Sequence, residues 1–284
     1  MSAESSLIKT QRFWLRNLRN AAALARLRVL ASLQTRNSRN DIGIGAGGDV
    51  TKQFDLVAEQ TITEYLSRRS SFTLISEEAG TQTIGTNPKG YVIMDPIDGS
   101  TNVAHGISFA CIAVAFASKP RFGSIEVAVV QDLFSENVYH AARGKGAMRN
   151  FQSIQLSSEN QLISNLVGVD DGFPSFHSTR EQTDSSNERV QFIRHFGANA
   201  LELCFVADGS LDGFVDLRGV FRGTDLAAPA LILQEAGASL VNEAGKPLTG
   251  RCTNIERYSL VAARNDQFSQ WLLALAYGTK TSGS

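Results

Sequence analysis

Two aspartates three residues apart close a short apolar run in the segment 91–102, YVIMDPIDGSTN. The run Tyr91, Val92, Ile93, Met94 predicts a buried strand. Asp95, Pro96, Ile97, Asp98 and Gly99 then interrupt it. Pro96 fixes one backbone angle and removes an N–H donor, and Gly99 opens backbone shapes that a side chain resists. Two carboxylates at a strand end, with the Ile97 carbonyl between them, offer the oxygen ligands that a hard cation such as Mg2+ takes. The N–H groups of Gly99, Ser100 and Thr101 come next. With a helix starting there, they make an anion site beside the metal. Asp-Pro and Asp-Gly are also ordinary turn dipeptides, so the metal reading depends on other acids joining these two.

The elements that would carry such acids can be read in order. Residues 6–34, with Leu15, Leu18, Ala22, Ala25 and Val29 roughly at helical spacing, predict one long helix. Arg12, Arg16, Arg19 and Arg26 lie on an adjoining face. It reads as solvated, because no aromatic residues alternate with the arginines as in a nucleic-acid stacking platform. The glycine-rich stretch 41–49, DIGIGAGGD, lacks the Gly-Lys-Ser/Thr ending of a P-loop and reads as a flexible connection, a candidate flap over a site. A second helix is expected over 54–68. Asp55 stands at its start and Thr51 just ahead, both ordinary helix-start residues. A strand at 72–75 runs into the paired acids Glu77 and Glu78, and 79–90 reads as a polar turn region.

Strands at 109–117, 125–132 and 137–142, with a tight turn at 143–146, predict an antiparallel meander. Beyond it, strands are expected at 162–169, 213–216, 239–242 and 258–262, and helices at 201–207, 225–236 and 267–276. Residues 170–189 read as a loop or short irregular helix and 217–224 as a basic, glycine-containing connection. Pro229 is placed in about the first turn of its helix, where its missing N–H does least harm, and the tail after Gly278 is expected to be disordered.

The totals narrow the class. A chain of 284 residues, 43% hydrophobic and 19% charged, suits a globular protein of two lobes. A net charge of −1 gives no global field toward nucleic acid or a membrane surface. No apolar run approaches the ~20 residues that span a bilayer, and the N-terminus lacks a secretory-signal pattern. Cys111, Cys204 and Cys252 are far apart and odd in number, which fits buried thiols in a reducing, cytoplasmic setting.

Glu77, Asp95, Asp98 and Asp225 share one property: each falls where a strand ends or a helix starts, the edges at which ligand sites gather in layered α/β folds. Together in one cleft they would repel strongly, and cations would relieve that repulsion. Two or more Mg2+ ions there could clamp a phosphate and activate water in line with its ester bond.

The segment DPIDGSTN at 95–102 resembles the signature of the inositol monophosphatase family, relatives of fructose-1,6-bisphosphatase. The resemblance extends, in order, to Val50 and Thr51 through Asp55, to ISEE at 75–78, to GTDLAAPA at 223–230 and to QEAG at 234–237. It covers about 48–264, and it is similar above all to the archaeal branch, whose members often act on both inositol phosphate and fructose 1,6-bisphosphate. It implies that Glu77, Asp95 and the Ile97 carbonyl hold one Mg2+, that Asp95, Asp98 and Asp225 hold a second, and that Glu77 shares a weaker third. It further implies a water oriented by Glu77 and the Ser100 hydroxyl, with Asp55 or Thr51 steering that hydroxyl. Gly99 and Ser100 would hold the phosphate. Positions matching Arg194, Asn199 and Arg218 would contact substrate, and Arg222 is a further candidate. Two departures stand out. Ser100 replaces the threonine of many members, and the Thr51-to-Asp55 spacing is one residue longer than in the animal enzymes.

The expected fold is an αβαβα layered α/β sandwich with a large, mostly antiparallel sheet. Residues 1–156 would form a lobe carrying the metal and phosphate site, and 157–284 a smaller lobe supplying Asp225. The expected function is Mg2+-dependent hydrolysis of inositol monophosphate or fructose 1,6-bisphosphate. The alternatives are a nucleotide 3′-phosphatase acting on adenosine 3′,5′-bisphosphate and, in another class, a sugar-phosphate sensor without turnover. A homodimer with a small-molecule phosphate ester as its partner, and neither nucleic acid nor membrane, completes the expectation.

Overall fold

A computed structural model describes residues 3–35, 40–156, 165–169 and 190–278. The loop expected at 170–189, the start of the strand expected from 162 and the tail after Gly278 lie outside the described residues. Two helices, α1 (Ala3–Ser32) and α2 (Gln53–Ser67), flank a hairpin of β1 (Asp41–Ile44) and β2 (Val50–Lys52). An eight-stranded sheet follows from β3 (Phe72–Ser76), β4 (Gly80–Ile84), β5 (Tyr91–Asp98), β6 (Cys111–Ala117), β7 (Ile125–Asp132), β8 (Val138–Ala142), β9 (Ala147–Arg149) and β10 (Gln152–Ser153). Its spatial order is β10-β9-β8-β7-β6-β5-β3-β4. A five-stranded sheet, ordered β12-β11-β13-β15-β14, is built from β11 (Asn165–Val169), β12 (Val190–Arg194), β13 (Gly213–Arg222), β14 (Ser239–Val241) and β15 (Arg257–Ala263). The remaining helices are α3 (Ser100–His105), α4 (Asn199–Ala207), α5 (Gly223–Ala236) and α6 (Asp266–Ala276).

The period-two alternation of β5 shows how the layers arise. Val92 and Met94 face α1 and α2, packing with Trp14, Leu18, Phe54 and Ile62. Ile93 faces the opposite way, into a second core with Leu201 and Leu203 of α4, Leu226 and Leu231 of α5, and Phe214 and Leu260 of the five-stranded sheet. The far face of that sheet, with Val167, Val215 and Val261, is covered by Phe268, Leu272 and Leu273 of α6. Five layers result, helix, sheet, helix, sheet, helix, as the sequence predicts. Both faces of the large sheet are covered, which is why β6 can be buried and apolar at all seven positions.

The meander from β5 to β10 is antiparallel throughout, whereas β3 runs parallel to β5. Several local readings need correction. The glycine-rich stretch is no loose connection, since Ile44 pairs with Val50 and Gly43 with Thr51 in a hairpin. The polar region after Glu78 holds β4, an edge strand paired with β3. The basic connection after Asp216 continues β13 to Arg222 across an irregularity between Asp216 and Phe221. Pro229 lies in the second turn of α5, which starts at Gly223, and it removes the bond that an amide there would donate to the Asp225 carbonyl. The arginine face of α1 is only partly solvated. Arg26 Nε donates to the Leu133 carbonyl at 2.9 Å, and the Arg19 guanidinium lies 4.0 Å from the Phe151 ring centre. No described helix is long and apolar enough to cross a membrane.

Candidate active site

The parallel pairing of β3 with β5 creates the site. Parallel strands end at one edge, so Ser76 lies opposite Met94 and the residues after each come out side by side. Glu77 N–H donates to the Met94 carbonyl at 3.3 Å, which sets Glu77 next to Asp95. Pro96 cannot donate to β6, and the β5–β6 register shifts between Asp95 and Asp98. The strand therefore bulges between the Asp95–Ala113 and Asp98–Cys111 pairings, and Asp95 Oδ1 accepts from Ile97 N–H at 3.0 Å. Asp225 arrives from above as the third residue of α5, which packs on β5. Its Oδ2 accepts from Arg222 N–H at 3.1 Å and its Oδ1 from the Thr224 hydroxyl at 2.9 Å. Glu77, Asp95 and Asp225 each place a carboxylate oxygen within 4.8 Å of the other two.

Such crowding favours a cation, and burial, joined by mutual repulsion at Asp95 and Glu77, raises the members' pKa values. Burial first, then repulsion from Glu77, Asp98 and Asp225, raises Asp95 well above the carboxylate range. Burial and then Asp225 push Glu77 up to about 8, against the pull of Arg222. Asp225 is raised by burial, with Arg222 opposing. Asp98 is pushed up to about 7, mainly by burial, although the N–H groups of Ala200 and Asn199 and the Cys111 thiol favour its charged form. A hard divalent ion reverses all of these shifts at once. The donor set, carboxylate oxygens with a backbone carbonyl nearby at the end of a strand, is the one that Mg2+ and its like prefer.

Asp98 stands apart from that triplet. Its Oδ2 accepts from Ala200 N–H at 2.6 Å at the start of α4, and the Cys111 sulfur is 3.7 Å from the same oxygen. Gly99, at φ +88, turns the chain from β5 into α3. A Cβ there would stand 2.9 Å from Ala198 Cβ and 3.0 Å from the Phe109 carbonyl, so glycine is demanded by both conformation and space. The first N–H groups of α3, including those of Ser100 and Thr101, have no partner within the helix. Asn102 braces the turn by donating to the Phe109 carbonyl at 2.9 Å and the Phe196 carbonyl at 2.7 Å.

Asp55 is buried, accepts from Lys52 N–H through Oδ2 at 2.7 Å, and keeps Oδ1 buried without a protein partner. Burial drives its pKa up to about 8, and Glu78 and Glu77 add to the rise. Thr51 gives its hydroxyl to Glu78. Asn199, the first residue of α4, keeps Oδ1 buried without a protein partner. Arg218 makes a bidentate pair with the fully buried Asp216, with Nε to Oδ1 at 3.0 Å and one terminal nitrogen to Oδ2 at 2.7 Å. Arg194 is exposed and bonds the Ile193 carbonyl at 2.8 Å. Arg222 is engaged by Glu77 at 2.5 Å, by the Gly47 carbonyl at 3.2 Å and by Asp49.

Sequence reading passed over two carboxylates with a hold on the site. Glu59, buried on α2, accepts from the Ser76 hydroxyl and from Ala79 N–H at 3.0 Å, so it grips both sides of the Glu77–Glu78 turn. It lies four residues after Asp55, one helical turn along the same face, and that spacing was the available signal. Asp216 needed its arginine, two residues on, to be read as a pair.

A family model described as the inositol monophosphatase family matches residues 14–278 of this chain. The chain is 36% identical over 242 residues to a fructose-1,6-bisphosphatase/inositol-1-monophosphatase of Methanothermobacter thermautotrophicus, covering 81% of this chain and 85% of that protein. It is 34% identical over 227 residues to a bifunctional NADP phosphatase/NAD kinase of Methanococcus maripaludis, which covers 74% of this chain but 40% of that longer protein. Among solved structures, an inositol monophosphatase–fructose 1,6-bisphosphatase superposes with a TM-score of 0.77 at 26% identity over 92% of this chain and 99% of that one. A Pyrococcus horikoshii protein with similarities to inositol-1 monophosphatase gives 0.78 at 25% identity, over 95% and 99%.

Proposed function

This chain belongs to the inositol monophosphatase family, and from that premise we propose that it is a Mg2+-dependent phosphomonoesterase for inositol monophosphate and fructose 1,6-bisphosphate. One observation carries the reading: Glu77, Asp95 and Asp225, drawn from three remote stretches, converge within 4.8 Å beside the start of α3. The two activities are those in the names of several relatives.

Glu77, Asp95, Asp98, Asp225 and the Ile97 carbonyl would hold two or three Mg2+ ions. When bound, the metal neutralises phosphoryl charge and lowers the pKa of water from about 15.7 toward neutrality. The chain's own residues do the positioning that dominates phosphoryl transfer. N–H groups of Gly99, Ser100 and Thr101 receive the phosphate oxygens. The Ser100 hydroxyl and Glu77 orient the attacking water, and Asp55 or Thr51 orients Ser100. Asp55 Oδ1, buried without a protein partner, is the acceptor suited to that task. Asn199 and Arg218 face the alcohol part of the substrate, with the Arg218 guanidinium held in place by its bidentate pair with Asp216 and contributing positive charge.

A phosphate-release panel tests the reading. The substrates are inositol 1-phosphate, fructose 1,6-bisphosphate, adenosine 3′,5′-bisphosphate and NADP+, each with Mg2+ and with chelator. Release from the first two, abolished by chelator and by Asp95→Asn, is the expected result. Turnover confined to the nucleotides would move the assignment to a nucleotide phosphatase, the direction in which the NADP phosphatase relative points. Tight sugar-phosphate binding without release would make the chain a sensor.

A further inference from the structure

The turn of the β1–β2 hairpin lies against the acidic edge through Gly45, Ala46 and Gly47. Ala46 N–H donates to the Glu78 carbonyl at 2.9 Å and Gly47 N–H to the Glu77 carbonyl at 2.7 Å. The approach is so close that a Cβ on Gly45 would overlap the Glu78 carboxylate, and one on Gly47 would stand 2.9 Å from Glu77 Cγ and 3.0 Å from Arg222 Nε. Arg222, the residue just before α5, closes this contact from the opposite side. One terminal nitrogen donates to Glu77 Oε1 at 2.5 Å, and the other donates to the Gly47 carbonyl at 3.2 Å and pairs with the Asp49 carboxylate. Its Nε is buried without an acceptor, and the Arg222 and Glu77 side chains are each only 14% exposed.

Two carboxylates and a backbone carbonyl on one positive centre form the oxygen set of a hard cation. Here the centre is a guanidinium, whose planar fork puts one terminal nitrogen on Glu77 and the other on the Gly47 carbonyl and Asp49. Glu77 has two oxygens, and with Oε1 taken by Arg222 one remains for an ion shared with Asp95 and Asp225. We infer that Arg222 is a fixed cation shared between Glu77 and the hairpin, so that the site takes up one divalent ion fewer than its oxygens allow and holds the hairpin closed without metal. This rests on the metal-dependent reading above and sets its ion count at two, because the Glu77 oxygen that a third ion would share is held by Arg222.

The test counts ions and watches the hairpin, independently of turnover. Mg2+ calorimetry and Mn2+ paramagnetic resonance are run on the wild type, Arg222→Met and Arg222→Lys. Amide hydrogen exchange at Ala46 and Gly47 is followed in chelator and in Mg2+. The expected Arg222→Met variant takes up one additional equivalent per chain, exchanges those amides at least tenfold faster in chelator, and regains protection with excess Mg2+. Arg222→Lys keeps the wild-type count. Asp49→Asn, an exposed change that spares the fold, should speed exchange at the same amides and leave the ion count alone. Equal counts and equal exchange in wild type and Arg222→Met overturn the inference alone. A wild-type chain that binds no divalent ion overturns the metal reading and this inference with it.

Discussion

Replacing Asp95 with asparagine should make the metal-free protein more stable while removing its response to Mg2+. The substitution preserves shape, and its Oδ1 can still accept from Ile97 N–H, so packing is not the variable. What changes is charge. At 4.8 Å, the outer spacing of the triplet, two full charges repel by about 3.5 kcal/mol at an effective dielectric of about 20. With Glu77 and Asp225 as fully charged neighbours at that outer spacing, removing the Asp95 charge would be worth roughly 7 kcal/mol. The wild type already sheds part of this by keeping protons, which leaves about 2–4 kcal/mol at pH 8. For a chain of 284 residues that is a rise of roughly 3–7 °C in melting temperature.

The pH dependence fixes the sign. Asp95, Glu77 and Asp55 have folded-state pKa values raised above those of the unfolded chain, to about 8 for Glu77 and Asp55. The unfolded chain therefore loses protons first, and metal-free stability falls as pH rises from about 4 to about 8. In Asp95→Asn one such group is gone, so the gap over wild type should be near zero at pH 4 and widest near pH 8. Mg2+ inverts the order: at one hundred times its Kd it adds about 2.7 kcal/mol to wild type and little to the variant. Calorimetric scans at pH 4, 6 and 8, in chelator and in Mg2+, read this directly. A variant that melts below wild type in chelator at pH 8, or gains as much from Mg2+, would refute the reasoning.

Three further predictions follow from single contacts. Gly99→Ala meets both a left-handed backbone and the Ala198 and Phe109 contacts, so it should cost roughly 2 kcal/mol or more. An unchanged urea midpoint would show that the turn relaxes freely. Arg218→Ala strands the fully buried Asp216 carboxylate at about 3 kcal/mol. Arg218→Lys should recover only part of that, and full recovery would count against the bidentate pair. Glu59→Gln replaces a carboxylate that accepts on both sides of the Glu77–Glu78 turn, so Mg2+ affinity should fall roughly tenfold with KM little changed. Calorimetric affinity equal to wild type would reduce Glu59 to packing.

What the sequence disclosed was local chemistry at element ends. Asp95, Pro96, Asp98 and Gly99 announce a break in the strand, but β5 bulges at Pro96 and runs on to Asp98, and only Gly99 ends it, because Asp98 still pairs with Cys111 across the irregularity. The hairpin was hidden because glycine gives no alternating pattern. Its pairing is supported by docking onto the Glu77 and Glu78 carbonyls, which local sequence cannot report. The run of β13 through Gly219, at φ +69, looks like a connection for the same reason. The parallel placement of β3 beside β5, on which the meeting of Glu77 and Asp95 depends, is likewise a property of the sheet and of no single segment. Arg222 reads in sequence as one more basic residue near a substrate. Only in three dimensions do Glu77, Gly47 and Asp49 claim it.

The reach of Asp225 is set by residues that carry no chemistry. The face of the large sheet under α5 sets Ala113, Ala115, Ala128, Ala141 and Ala147 among Ile93, Val130 and Tyr139, and α5 answers with Ala227, Ala228 and Ala230 beside Leu226 and Leu231. Small side chains on both surfaces let a helix lie close to a sheet, where longer ones would hold it away by the length of their own atoms. The opposite face, under α1, carries Val92, Val114, Val127 and Val129, and no acid of the triplet comes from the two helices there. The small-residue layer therefore has a purpose that a core does not need for stability alone, since larger residues would bury more apolar area per position. It brings the first turn of α5 down to the edge where β3 and β5 end, so that a third carboxylate falls within the span of one ion.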